Sequence, residues 1–166
     1  MTDSAPLEPE QLAVYFALME VSSLLQHAVE QQLRADGDLS WVQFQILAGL
    51  NDLPGGHQRM TDLADRVVYS RSGLTYQAAQ LQKAGLIERT PDVDDERATN
   101  VSITGAGRAL VRAVLPGHVE VVRAALLQHL SPRDRASLTS VLQKVRDRMR
   151  AAPPRSAAPR AAKPAE

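Results

Sequence analysis

The chain has 166 residues, of which 44% are hydrophobic and only 4% aromatic, so it fits one domain with a few appended helices and a core of Leu, Val, Ala and Ile. Cysteine is absent, which excludes a disulfide framework, a thiolate zinc site and a cysteine redox switch. Net charge is zero, yet residues 1–60 hold two basic side chains against eight acidic ones and residues 61–166 hold 17 against 11, a split of −6 and +6 that reads as a polyanion partner or as chance placement on a solvated surface.

Residues 1–8 read as a flexible start. A first helix is expected from about Pro9 to Ala35: the proline suits a first turn, apolar residues recur through Leu12, Tyr15, Met19, Leu25, Val29 and Leu33, and Asp36-Gly37-Asp38 stops it. Its length suggests packing against a partner. Ser40-Trp41-Val42-Gln43 has the form of a capping box opening a second helix to about Asn51, and Pro54-Gly55-Gly56 is a loop. Thr61 is expected to cap a short third helix burying Leu63, Ala64 and Val67, and Ser70 a fourth that ends near Ala84 with Gly85 as its stop. Two alternating runs, Leu86 to Thr90 and Val101 to Ile103, flank an acidic turn and predict a two-stranded hairpin. Thr104 caps a long fifth helix from about Gly105 to Leu130, bent at Pro116-Gly117, and Ser131-Pro132 starts a sixth to about Arg150. The Ala/Pro/Arg composition of 151–166 predicts a disordered tail.

The unit at 61–84 has the dimensions of a helix-turn-helix. Leu74, Ala78 and Leu81 form the inward stripe of its second helix, leaving Ser72, Thr75, Tyr76, Ala79, Gln80 and Lys83 outward or sideways, with no acid among them. Short polar groups near such an N-terminus suit a major groove: Ser70, Ser72 and Thr75 for phosphates or bases, Arg71 for phosphate or guanine, Tyr76 and Gln80 for base edges. The same residues also fit an ordinary solvated helix. In the hairpin, Arg89 suits a phosphate, and Arg97 stands among Asp92, Asp94, Asp95 and Glu96, which can aim it at a narrow minor groove or merely form a surface ion pair.

These motifs resemble the multiple-antibiotic-resistance regulator (MarR) family of winged helix-turn-helix proteins. The wing stretch 94–104, DDERATNVSIT, carries the family's Asp, any residue, Arg and an alternating strand ending in Thr, here Asp95, Arg97, Val101, Ile103 and Thr104. Met60 to Arg89 matches through Leu63, Ala64, Ser70, Leu74, Thr75, Leu81, Gly85 and Leu86, and the likeness spans about residues 10–150. The resemblance implies a mainly α fold with a small β-hairpin wing: a winged helix-turn-helix at about 40–104, flanked by dimerisation helices at about 9–35, 105–130 and 132–150. It implies a homodimer on double-stranded, pseudo-palindromic DNA, usually a repressor, released by a small aromatic or anionic effector. It places the effector between the dimerisation helices and the winged helix, near Tyr15, Met19, His27, Trp41, Phe44 and Gln45, residues that core packing would equally explain. Two departures stand out. Tyr76 occupies a position where many members carry arginine, and Gln80 one where a basic residue is common, so affinity leans on Arg71, Lys83, Arg89 and Arg97.

Other chemistry finds no support in the pattern. His27, His57, His118 and His129 are scattered, so no metal or cofactor is expected. No glycine-rich phosphate loop, nucleophile elbow or His/carboxylate constellation argues for an enzyme. No run approaches the roughly 20 apolar residues of a membrane span, and the first residues lack the makings of a signal peptide, which predicts a cytoplasmic protein. A winged helix that binds a protein partner instead of DNA remains the other reading.

Overall fold

The computed structural model describes residues 5–67, 70–92, 95 and 98–151. In chain order it contains α1 (Pro9–Gly37), α2 (Trp41–Asn51), β1 (His57–Arg59), α3 (Met60–Val67), α4 (Arg71–Lys83), β2 (Ile87–Pro91), β3 (Thr99–Ile103), α5 (Gly105–Ala125) and α6 (Pro132–Arg150). The fold is mainly helical, as expected, but the hairpin is part of a three-stranded antiparallel sheet ordered β1-β3-β2. The extra strand, β1, pairs His57 with Ser102, Gln58 with Val101 and Arg59 with Asn100. Three residues with no apolar alternation carry no strand signal, so only the pairing with β3 defines it.

Local chemistry sets most boundaries. Ser40 accepts a hydrogen bond from the Gln43 amide at 3.2 Å while Gln43 Oε1 accepts from the Ser40 amide at 3.0 Å, the reciprocal cap expected for α2. Ser131 and Asp134 repeat it at α6. Three expectations are corrected. Thr61 lies inside α3, because β1 runs directly into that helix at Met60. α5 ends at Ala125 and a 3-10 turn, Leu127–His129, follows; Gln128 Nε2 donates to the Ala124 carbonyl at 2.7 Å and the His129 ring also reaches it at 3.0 Å, so side chains take over a terminal acceptor. α1 extends to Gly37, and the left-handed residue that ends it is Asp38, with φ 49°. Gly37 itself serves close approach: a Cβ there would meet Val114 Cγ1 at 2.6 Å, so α5 crosses α1 at this point. The glycine is spent on packing, and Asp, which tolerates the left-handed region, takes the turn.

The core lies under α4. Leu33, Ile46, Leu47, Leu50, Leu63, Leu74, Ala78, Leu81, Ile87 and Val101 are each at most 1% exposed, and Phe44 is the one aromatic ring among the described core residues. Each buried Leu or Ile contributes about 1.5–3 kcal/mol relative to an exposed one. From α1 only Val29 and Leu33 are buried, and α6 has no buried residue. Instead α1 exposes Tyr15, Phe16 and Met19, while α6 exposes Leu138, Val141, Leu142, Val145 and Met149, spaced for one helix face. The expectation about membrane spans needs correction here. One 18-residue window of α1 averages a hydropathy of 1.4 and is 6% buried, so by length and composition this helix is apolar enough to cross a membrane. Polar Ser22, Ser23, Gln26 and His27 break the consecutive apolar run without lowering the average far enough.

α5 leaves the sheet through a tight contact. The Thr104 amide donates to the Leu86 carbonyl at 3.1 Å, and a Cβ on buried Gly107 would overlap that same carbonyl oxygen. Gly107→Ala therefore overpacks the junction. The expected cost is about 1–3 kcal/mol, read as a lower thermal midpoint by circular dichroism; an unchanged midpoint would mean that α5 has slack there.

Candidate nucleic-acid interface

The Ser70 hydroxyl accepts from the Gly73 amide at 3.2 Å and starts α4. Leu74, Ala78 and Leu81 turn inward against α2 and α3, where Leu63 and Ala64 are also buried. Arg66 donates to the Gly49 carbonyl at 3.0 Å and fastens α3 to the end of α2. With one stripe committed to the core, Ser72, Thr75, Tyr76, Gln80 and Lys83 are exposed, and Tyr76 shows 61% of its surface. No Asp or Glu occurs in the thirteen residues of α4. Arg71 is its first residue. The face is thus a ridge of hydroxyl, amide and amine groups, able to donate and accept but carrying no negative charge toward a phosphate backbone.

The wing stands beside this ridge. β2 and β3 pair from Ile87 opposite Ile103 to Pro91 opposite Thr99. Arg89 is half-buried and donates from Nε to Gln82 Oε1 at 2.6 Å, tying the wing to the last turn of α4. The carboxylate of Asp92 accepts from Arg59 and from Asn100. Arg97 and its neighbours Asp94 and Glu96 lie outside the described residues, as does the tail beyond Ala151.

The six residues expected near an effector separate into two places. Trp41 and Phe44 stack with ring centres 6.2 Å apart, and both meet His118 of α5, at 6.2 Å and 4.7 Å. Gln45 is half-buried on the same helix. Tyr15 and Met19 are about half exposed on the outer part of α1, where Tyr15 packs edge-on against Phe16. From Tyr15 to buried Val29 the helix rises about 21 Å, so within one chain these two side chains do not join the aromatic group. His27 is exposed and faces Gln31 at 3.1 Å.

His118 joins this ring group, and Gln32 of α1 lies close to Gly117, the residue before it; neither is a sequence-derived candidate. His118 Nδ1 is buried without a hydrogen-bond partner among the described residues, and burial of the ring lowers its pKa. Gln32 Nε2 donates to Asp36 at 2.9 Å and to the Val114 carbonyl at 3.1 Å. Two acceptors fix which end of the amide is nitrogen, and Gln32 Oε1 is left as a buried acceptor with no donor among the described residues. No spacing rule links position 118 to position 41, so only the fold could bring them together.

A short helix crossing a second one that exposes a polar ridge, with a β-hairpin at its side, defines a winged helix-turn-helix protein of the DNA-binding kind. Residues 37–98 match the model of the MarR family. The HTH-type transcriptional regulator PecS of Dickeya dadantii is 29% identical over 140 residues, 84% of this chain and 83% of PecS. The HTH-type transcriptional repressor YetL of Bacillus subtilis is 24% identical over 145 residues, 87% and 86% of the two chains. Sco3205 of Streptomyces coelicolor, a MarR family regulator solved in complex with DNA, superposes with a TM-score of 0.82 at 29% identity, covering 89% of this chain and 92% of that one. In sequence and fold the chain is similar to MarR family transcription regulators, and the relatives it matches are regulators rather than enzymes.

His118 provides a test of the inner group by pH. The unfolded chain takes up its proton near 6.5 and the folded chain only at lower pH. The unfolded state therefore binds more protons between those values, and the stability contributed by the neutral ring is lost as pH falls below about 6.5. Urea unfolding across that range should show a pH slope that His118→Phe reduces. An identical slope in the variant would show that His118 is not the group responsible.

Proposed function

We propose that this regulator binds a pseudo-palindromic operator as a homodimer in the cytoplasm, acts as a repressor, and lets go of DNA when a small aromatic or anionic ligand occupies the space near Trp41, Phe44 and His118. The observation that carries the DNA reading is the exposed face of α4, polar throughout and free of carboxylates. Ser70, Ser72 and Thr75 serve phosphates or bases near the helix N-terminus, and Tyr76 and Gln80 read base edges. Arg71, Lys83 and Arg89 provide backbone contacts, and Arg97 enters the minor groove. Repression follows the example of YetL, which is named a repressor.

The homodimer rests on α1 and α6. An exposed apolar helix stripe is stabilised when another surface covers it, and both helices present one. A second copy of the chain supplies it, and two-fold symmetry then sets two α4 helices about one duplex turn apart. Tyr15, Met19 and His27 belong to this covered face rather than to the ligand. The ligand site retains Trp41, Phe44 and Gln45, joined by His118 and Gln32.

Duplexes selected by the purified protein from a random pool should show a two-fold-related pattern, with affinity falling steeply as salt rises because phosphate contacts release counterions. Leu142→Glu with Val145→Glu should give single chains in the ultracentrifuge and lose operator affinity. An absence of DNA binding at low salt would favour the reading in which the winged helix binds a protein. Arg97→Ala should weaken operator binding by about 1–3 kcal/mol while leaving the dimer intact, and an unaltered Kd would remove Arg97 from the interface.

A further inference from the structure

We propose that Asp92 is a positioning residue for DNA binding: its carboxylate ties β1 to β2 across β3 and fixes the angle at which the wing stands beside α4. The inference rests on the DNA-binding reading above. Arg59 is the last residue of β1, and α3 begins at the next residue. Asp92 directly follows β2. Between these outer strands lies Asn100 of β3, whose Cα is opposite Arg59 on one side and Thr90 on the other.

The Arg59 guanidinium reaches over the middle strand. It donates from Nε and Nη2 to the two Asp92 oxygens at 3.1 and 3.2 Å, and Asn100 Nδ2 donates to the same carboxylate at 3.0 Å. The Asp92 side chain is 9% exposed, whereas that of Arg59 is 46% exposed. A forked, partly desolvated pair of this kind holds direction as well as distance, unlike a single-point surface pair.

The position of the tie matters because it joins the end of β2 to a short strand that runs straight into α3. β1 meets β3 through only three residues. The Asp92 amide also donates to the Ala98 carbonyl at 3.0 Å, between the end of β2 and the start of β3. One carboxylate therefore links the start of the wing loop, the middle strand and the entrance to α3, on a path that runs into the helix-turn-helix.

The sign of one substitution separates positioning from plain electrostatics. A carboxylate near a phosphate backbone repels it, so on charge alone Asp92→Ala should tighten DNA binding. If Asp92 sets the wing, the same change weakens binding although a negative charge has gone. The experiment uses the full-length protein and the duplex that the wild type selects from a random pool. Asp92→Ala and Arg59→Ala should each bind roughly ten- to a hundredfold more weakly, the loss of about one groove contact. The double variant should be no weaker than either single one, since both remove one tie. The salt slope of Arg59→Ala should match that of the wild type, because Arg59 holds Asp92 and not a phosphate.

Equal or tighter binding by Asp92→Ala overturns the inference, as does a salt slope reduced by about one in Arg59→Ala or losses that add in the double variant. If thermal melting shows that Asp92→Ala has lost its fold, Asp92→Asn decides by the same sign, since it removes the charge and keeps the shape. A wild type that selects no duplex overturns the DNA reading itself, an outcome distinct from a wild type that binds while Asp92→Ala binds no worse.

Discussion

The structure depends on the burial of a single stripe of α4. Leu74, Ala78 and Leu81 are essentially inaccessible, packed on the core that α2, α3 and the sheet also share. A thirteen-residue helix has little stability alone in water, so this contact is what makes it a helix at all. It also fixes the rotation of α4 about its axis. Thr75, Tyr76 and Gln80 face solvent because the positions between them cannot, and Arg89 reaching Gln82 sets the wing against the far end of the same helix.

Much of this architecture could be read from residue order. Capping pairs such as Ser40 with Gln43, the hydroxyl of Ser70 before α4, and Thr104 before α5 mark helix starts by local chemistry, which survives the absence of any tertiary information. The features that escaped are those in which a distant contact overrides a local rule. Gly37 looked like part of a helix stop, yet Val114 of α5 requires the missing Cβ and the turn passes to Asp38. β1 is a strand only because β3 lies beside it.

The candidate site divides along the same line. The face of α4 follows from helical periodicity, so its residues could be named from sequence. The inner group could not. Trp41 and Phe44 are one helical turn apart and visible as a pair, but their third ring, His118, arrives from α5 some seventy positions later, and the buried Gln32 acceptor comes from α1. The tie of Arg59, Asp92 and Asn100 is equally non-local: nothing in residue order joins the three until strand pairing aligns them. Only the family resemblance groups Tyr15 and Met19 with Trp41, and helix length keeps them apart within one chain.

The buried stripe and the exposed ridge of α4 use different residues. None of Ser72, Thr75, Tyr76, Gln80 or Lys83 belongs to the buried cluster, and none of the buried positions reaches the outer ridge. Surface changes of this sort alter stability by little. A lineage carrying this scaffold is therefore free to change the ridge, Tyr76 included, without passing through unfolded intermediates.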